Sequence, residues 1–249
     1  MDGKGRALVT GASKGIGAAI CRRLRAEGYE VYGLARGRPA LEALAEDCGL
    51  RPLVADVRDH QAIGAALGDR GVDVLVNNAG LVTSLRPLQA QSAAEIEAMV
   101  TVNLLAPLLL LRLLLPGMVA RGRGHVVNVT STAAHHVFAA TAAYGAAKAG
   151  LSRAGSVLRY DLAGTGVRLT EIAPGRVETD VYLQAFAGDG EALRRTLYAD
   201  ERPLQPADVA EAVALALALP DHVDVAMMEL SPTDQATGGH VIRRPNASV

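Results

Sequence analysis

A tyrosine and a lysine four residues apart, in Tyr144-Gly145-Ala146-Ala147-Lys148, open a helical pattern. On a helix this spacing stacks phenol and ammonium on one face, a turn apart. An ordinary phenol, with a pKa of about 10, exchanges protons poorly near neutrality. A neighbouring ammonium favours the phenolate, so the pair predicts a tyrosine that titrates below its usual value and trades a proton with an alcohol oxygen. Lysine occurs only at positions 4, 14 and 148, with arginine at the other cationic positions, which argues against an incidental Lys148. The Tyr-x-x-x-Lys spacing taken alone suits a solvated surface equally well. Ser131 follows a β-branched run in Asn128-Val129-Thr130-Ser131-Thr132, from where its hydroxyl can donate to a substrate oxygen. Asn103 lies inside a long helical pattern although Asn is a poor helix former. It reads either as a kink residue or as an inward polar group beside the site.

A second cluster lies near the N-terminus, in Thr10-Gly11-Ala12-Ser13-Lys14-Gly15-Ile16-Gly17. Glycines at this spacing let the backbone turn sharply, approach a pyrophosphate and pack a helix close to a strand. The helix that follows aims its N-terminal amides at the phosphates. Glycines alone would also suit a plain turn; a strand before and a helix after favour a dinucleotide site. About twenty residues on, NAD would call for an acid at the end of the second strand. The chain has Leu34-Ala35-Arg36-Gly37-Arg38 there, and Arg36 can pair with a 2′-phosphate while Lys14 adds a cation nearby. NADP is therefore the expected cofactor. Asp56 and Val57 are placed to read an adenine edge, and Asn77-Asn78-Ala79-Gly80 ends another strand at the same side of a sheet.

These residues need a scaffold, and the hydrophobic pattern supplies one. Strands are predicted at 6–10, 30–34, 53–57, 72–77, 125–130, 167–173 and 225–230. The intervening helices include 15–27, 93–119, 144–162 and 207–219. Strand–helix alternation predicts an α/β fold, a Rossmann-type doubly wound parallel sheet in a single domain over 1–249. The irregular stretch 181–205, with a helical pattern over 191–199, is expected to sit over the site as a lid.

Composition sharpens this. Half of the 249 residues are hydrophobic but only 3% are aromatic, so Ala, Val, Leu and Ile must fill the core, as suits a parallel sheet covered on both faces. The eight rings include Tyr144 and, near the site, Phe138, Tyr182, Phe186 and Tyr198, which predicts rings around the substrate rather than in the core. A net charge of −1 argues against nucleic acid and anionic membranes as partners. Cys21 and Cys48 cannot make a disulfide scaffold and read as small buried hydrophobes. The apolar run 104–115 is interrupted by Pro107 and Arg112 and is too short for a membrane span. No signal peptide is visible, so a cytoplasmic location is expected. The histidines lack metal-ligand spacing, so no metal is expected; His135 or His136 could line a substrate pocket.

Taken in order, these motifs resemble the short-chain dehydrogenase/reductase family over essentially the whole chain. The matching elements are the turn at 10–17, Asn77–Gly80, Asn103, Ser131, Tyr144, Lys148 and Pro174-Gly175-Arg176-Val177-Glu178-Thr179. The resemblance implies a seven-stranded Rossmann sheet, usually in a homotetramer or homodimer, and hydride transfer between a nicotinamide and a small carbonyl or alcohol substrate. In its mechanism Tyr144 would exchange the proton and Ser131 polarise the oxygen. Lys148 would hold the nicotinamide ribose and lower the tyrosine pKa, and Asn103 would position a relay water. Pro174, Gly175, Val177 and Thr179 would lie against the nicotinamide. Segments 159–168, 204–213 and 222–235 are similar to the NADP-dependent serine/3-hydroxy acid dehydrogenase and clavulanate-type aldehyde reductase branch. That implies a 3-hydroxy acid or a secondary-metabolite aldehyde or ketone. The alternatives are a β-ketoacyl or polyketide ketoreductase and a non-catalytic nucleotide sensor.

Overall fold

The structure is a computed structural model that describes residues 4–198 and 202–235. Seven strands form one sheet: β1 (Arg6–Thr10), β2 (Glu30–Ala35), β3 (Arg51–Val54), β4 (Val74–Asn77), β5 (Gly124–Val129), β6 (Val167–Pro174) and β7 (Met227–Leu230). Their order is β3-β2-β1-β4-β5-β6-β7, and every neighbouring pair is parallel. The chain winds outward from β1 in one direction and from β4 in the other, so loops at the carboxyl ends of these two strands part and leave a crevice.

Alternation along the strands assigns the two faces. Ala7, Val9, Val76, Val127, Val129 and Ile172 point to one side. There they meet α1 (Gly15–Ala26), α2 (Arg38–Cys48) and α8 (Pro206–Ala218), which contribute Ile20, Leu24, Leu41, Val209 and Val213. Leu8, Leu75, Val126 and Leu169 point to the other. These pack on α3 (His60–Leu67), α5 (Ala106–Ala120) and the end of α6 (Ala142–Asp161), through Ile63, Leu110, Met118 and Leu158. Each fully buried Leu or Ile contributes about 1.5–3 kcal/mol. Rings are not excluded from this core: Tyr29 and Tyr32 are both buried in it, contrary to the expectation of a ring-free interior.

Two elements differ instructively from the sequence expectation. β3 ends at Val54 rather than reaching Val57, because Asp56 turns the chain: its carboxylate accepts from Arg58 N at 2.9 Å and its carbonyl from Asp59 N at 3.0 Å. Pro52, lacking an N–H, is tolerated since β3 is the sheet edge. The long helix begins as α4 (Ala93–Val100), where Ser92 and Glu95 cap each other's backbone. It then widens into a π turn over Thr101–Leu105 before continuing as α5. Together they make a continuous helix, Ala93–Ala120, long and apolar enough by length and composition to cross a bilayer, not an interrupted run. Here its inner side buries Met99, Leu110, Leu111 and Met118 within the fold.

The segment after β6 folds as a 3₁₀ stretch (Asp180–Phe186), a short α7 (Gly190–Leu193) and a second π turn (Arg194–Tyr198). The last residue of the expected helical pattern, Ala199, lies outside the described residues.

Candidate active site

The crevice above β1 and β4 collects most of the predicted residues into one cleft. Its floor is the glycine turn: Gly11, Ser13, Lys14, Gly15, Ile16 and Gly17 all line it. At Gly11 and Gly17 a side chain is excluded for steric reasons. A Cβ on Gly17 would collide with the Gly11 carbonyl oxygen, and one on Gly11, whose φ is +66°, would come within 2.9 Å of Ala79 Cα. Thr10 fixes the opposite wall by accepting from Asn78 N at 3.0 Å and Ala79 N at 2.9 Å through its hydroxyl. Asn78 returns a bond from Nδ2 to the Thr10 carbonyl at 2.8 Å. Asn78, Ala79 and Gly80 thereby face the turn across the cleft.

At the far end of the cleft stand Arg36, Asp56, Val57 and Arg58. Arg58, which sequence reasoning missed, binds Asp56 through Nε and Nη2 at 2.9 and 2.7 Å, and this holds the Asp56 carboxyl down at about 2. The signal was available, since Arg58 follows the Asp56-Val57 pair directly. Lys14 is exposed and pairs with Asp180 at 3.1 Å, tying the glycine turn to the segment after β6. Asp180, Val181 and Tyr182 from that segment line the cleft, as do Pro174, Gly175, Val177 and Thr179 before it.

The opposite end holds Ser131, Tyr144 and Lys148. Ser131 caps a one-turn helix, accepting from Ala133 N at 3.1 Å, and its side chain hydrogen-bonds the Tyr144 hydroxyl. Lys148 is buried, donates to the Val129 carbonyl at 2.9 Å, and lies 6.0 Å from the centre of the Tyr144 ring. Loss of water pulls its ammonium down to about 8, against the opposing charge of Glu171. Tyr144 departs from the sequence expectation of a lowered pKa. Loss of water around the phenol, reinforced by Tyr182, pushes it up, and the Ser131 bond only partly opposes this. The phenol is therefore held in its protonated form.

Asn103 is not among the residues that line the cleft. Fully buried in the π turn, it accepts from Leu81 N at 3.2 Å and donates to the Leu81 and Met99 carbonyls, both at 2.9 Å. Its side chain is a brace for the Leu81 wall. Neither adjacent histidine lines the cleft: His135 contacts Glu171 and His136 contacts Glu229, both at 2.9 Å. Of the rings expected around the substrate, Tyr144 and Tyr182 line the cleft, whereas Phe138, Phe186 and Tyr198 do not. Among the described residues no cluster of His, Cys, Asp or Glu could hold a metal.

Known proteins resemble this chain over most of its length. A family model described as short chain dehydrogenase matches residues 5–189. The chain is similar to the NADP-dependent 3-hydroxy acid dehydrogenase YdfG of Salmonella typhi, 39% identical over 245 residues that cover 95% of this chain and 98% of the relative. An uncharacterized short-chain type dehydrogenase/reductase, y4eK of Sinorhizobium fredii, is 41% identical over 233 residues, 94% of this chain and 93% of that one. Among solved structures, the closed form of a serine dehydrogenase complexed with NADP+ superposes with a TM-score of 0.91. It is 36% identical over 96% of this chain and 99% of the other.

Proposed function

The chain belongs to the short-chain dehydrogenase family, and on that premise we propose that it is an NADP-linked oxidoreductase of a small polar alcohol or carbonyl. The observation that carries this reading is the single cleft with a glycine turn and two arginines at one end and Ser131, Tyr144 and Lys148 at the other. The glycines let the turn close tightly on Ala79 and on the start of α1, and the first turn of α1 offers a pyrophosphate its backbone amides. Arg36 and Arg58 match a 2′-phosphate, and no carboxylate stands directly after β2 to hold a ribose diol in its place. Val177 and Thr179 would meet the nicotinamide carboxamide, and Lys148 its ribose.

When bound, NADPH supplies the hydride. The protein supplies the proton: Tyr144, kept protonated, donates from its hydroxyl to the carbonyl oxygen as negative charge grows there. The Ser131 hydroxyl, at the same place, donates a second bond to that oxygen. The phenolate left behind is favoured by the Lys148 ammonium on the same helix face. Alcohol oxidation runs the same proton path backwards.

The printed activities of the relatives support a 3-hydroxy acid or related aldehyde or ketone as substrate class. We read the chain as one domain, with residues 181–205 as the substrate lid. Val181 and Tyr182 at the cleft wall and the Lys14–Asp180 pair support the lid. A homotetramer or homodimer is supported by exposed apolar side chains, Leu105 and Leu113 around the long helix and Val157 and Tyr160 on α6. Following nicotinamide absorbance with NADPH or NADH against a panel of 3-hydroxy acids, aldehydes and ketones tests the activity. Turnover that prefers NADPH is expected; cofactor binding without turnover on any member would instead favour a nucleotide sensor.

A further inference from the structure

Behind the cleft, on the side of β6 that faces α6, lies a buried carboxyl that the proton path does not use. Glu171 is only 3% exposed. Its Oε1 accepts from the Thr130 hydroxyl at 2.6 Å and lies 2.9 Å from His135 Nε2; its Oε2 accepts from the Ser152 hydroxyl at 2.8 Å. Each partner is tied to the site by the chain itself. Thr130 immediately precedes Ser131, and His135 follows the one-turn helix that Ser131 caps. Ser152 lies four residues, one helical turn, beyond Lys148.

Packing alone gives no reason for an acid here. Leu169 and Ile172 on the same strand are buried apolar residues, and replacing a buried charge by an apolar side chain of similar size is often neutral or stabilising. A buried carboxylate does have an electrostatic consequence for a buried ammonium. Its charge is the one that opposes the desolvation of Lys148. The other charged groups around Glu171 are already engaged. Arg159 on α6 donates to the Leu169 and Ala226 carbonyls, and His136 beside His135 pairs with Glu229.

We propose that Glu171 is a positioning residue for the Ser131–Tyr144–Lys148 group: its carboxylate braces the end of β5 against α6 and is the buried counter-charge of the Lys148 ammonium. The proposal rests on the reading of Tyr144 and Lys148 as the catalytic couple. Without the counter-charge, Lys148 gives up its proton at lower pH and supports the Tyr144 phenolate less well. Glu171 itself does not line the nucleotide cleft, so the glycine turn and Arg36 keep their surroundings.

Two variants separate charge from space. Glu171→Gln keeps the shape and removes the charge; Glu171→Asp keeps the charge and shortens the side chain. Oxidation of L-serine or 3-hydroxybutyrate, whichever the wild type turns over faster, is followed with NADP+ across pH. For Glu171→Gln we expect kcat to fall about tenfold or more. Its alkaline limb should move down by about one pH unit, while KM for NADP+ changes less than about twofold. Glu171→Asp should keep the wild-type limb. A Gln variant with wild-type kcat and pH profile would overturn the proposal, and so would an Asp variant that loses more activity than the Gln one. A second arm needs neither turnover nor a stable variant. With only three lysines, Nζ resonances of the wild type can be assigned by NMR and followed with pH beside the Glu171 carboxyl carbon. A Lys148 Nζ that titrates near pH 8 beside a charged Glu171 is expected; a Glu171 carboxyl found uncharged at neutral pH would overturn the proposal. Failure of the functional reading looks different: the wild type binds NADPH and turns over nothing, whatever Glu171 does.

Discussion

The Asn103 carboxamide binds both backbone polar groups of one residue: it accepts from Leu81 N at 3.2 Å and donates to Leu81 O at 2.9 Å. The π turn presents the carboxamide to that loop, and Gly80 leaves room for it, since a Cβ there would lie 2.8 Å from Asn103 Oδ1. Leu81 in turn walls the cleft. Replacing Asn103 by Leu strands the Leu81 N–H and carbonyl and the Met99 carbonyl without their side-chain partner. Each unmade buried bond costs about 1–3 kcal/mol, so urea unfolding should show a loss of roughly 3 kcal/mol. NADPH affinity should fall with it, by about tenfold. Wild-type stability in Asn103→Leu would mean that the carboxamide braces nothing.

The proposed role of the arginines at the far end of the cleft is to select NADPH. Arg36→Ala removes a charge-assisted contact worth about 1.5–3 kcal/mol, so NADPH should weaken roughly ten- to a hundredfold while NADH is unaffected. Arg58→Ala should act in the same direction but less, because Asp56 already engages that guanidinium. Isothermal titration with both nucleotides checks this; an unchanged NADPH to NADH ratio in Arg36→Ala would remove Arg36 from the phosphate site.

Acid stability should be governed in part by His125, far from the cleft. Its ring is buried at the start of β5 with Nε2 2.8 Å from the Thr170 hydroxyl, and burial, helped by Arg168, pulls its pKa down to about 3 from an ordinary 6.5. The folded ring refuses a proton that the unfolded chain accepts below pH 6.5. Stability from this group is therefore complete above 6.5 and falls, by about 1.4 kcal/mol per pH unit, as pH drops towards 3. His125→Gln should flatten the dependence of urea midpoints on pH in that window. An unchanged slope would show that the ring is not the titrating group.

The parts of this molecule that the sequence exposed are those governed by short periods. Tyr144 and Lys148 lie one helical turn apart, and the three glycines lie within one strand-to-helix turn, so local spacing alone brings each set together. Arg36 was legible because it stands where an acid is otherwise required. Glu171 was not, because its partners Thr130 and His135 are 41 and 36 residues away and meet it only through the pairing of β5 with β6. Asn103 stands out in the sequence as a poor helix former, but the π turn that redirects its carboxamide to Leu81 has no signature in hydrophobic periodicity. The Tyr144 shift runs opposite to what its spacing from Lys148 predicts, for a related reason. Spacing shows which charge is near, whereas loss of water depends on every element that closes over the phenol.

On the proposed function, Tyr144 moves the proton in a cleft that binds NADPH independently of it. Tyr144→Phe removes one hydroxyl and leaves the glycine turn, Arg36 and Lys148 in place. Single-turnover NADPH oxidation with the best carbonyl of the panel, alongside NADPH titration by fluorescence, reads both halves of the claim. The variant should bind NADPH within about twofold of wild type and lose turnover by about 10²- to 10⁴-fold. Turnover within tenfold of wild type, with NADPH bound as tightly, would contradict the assignment.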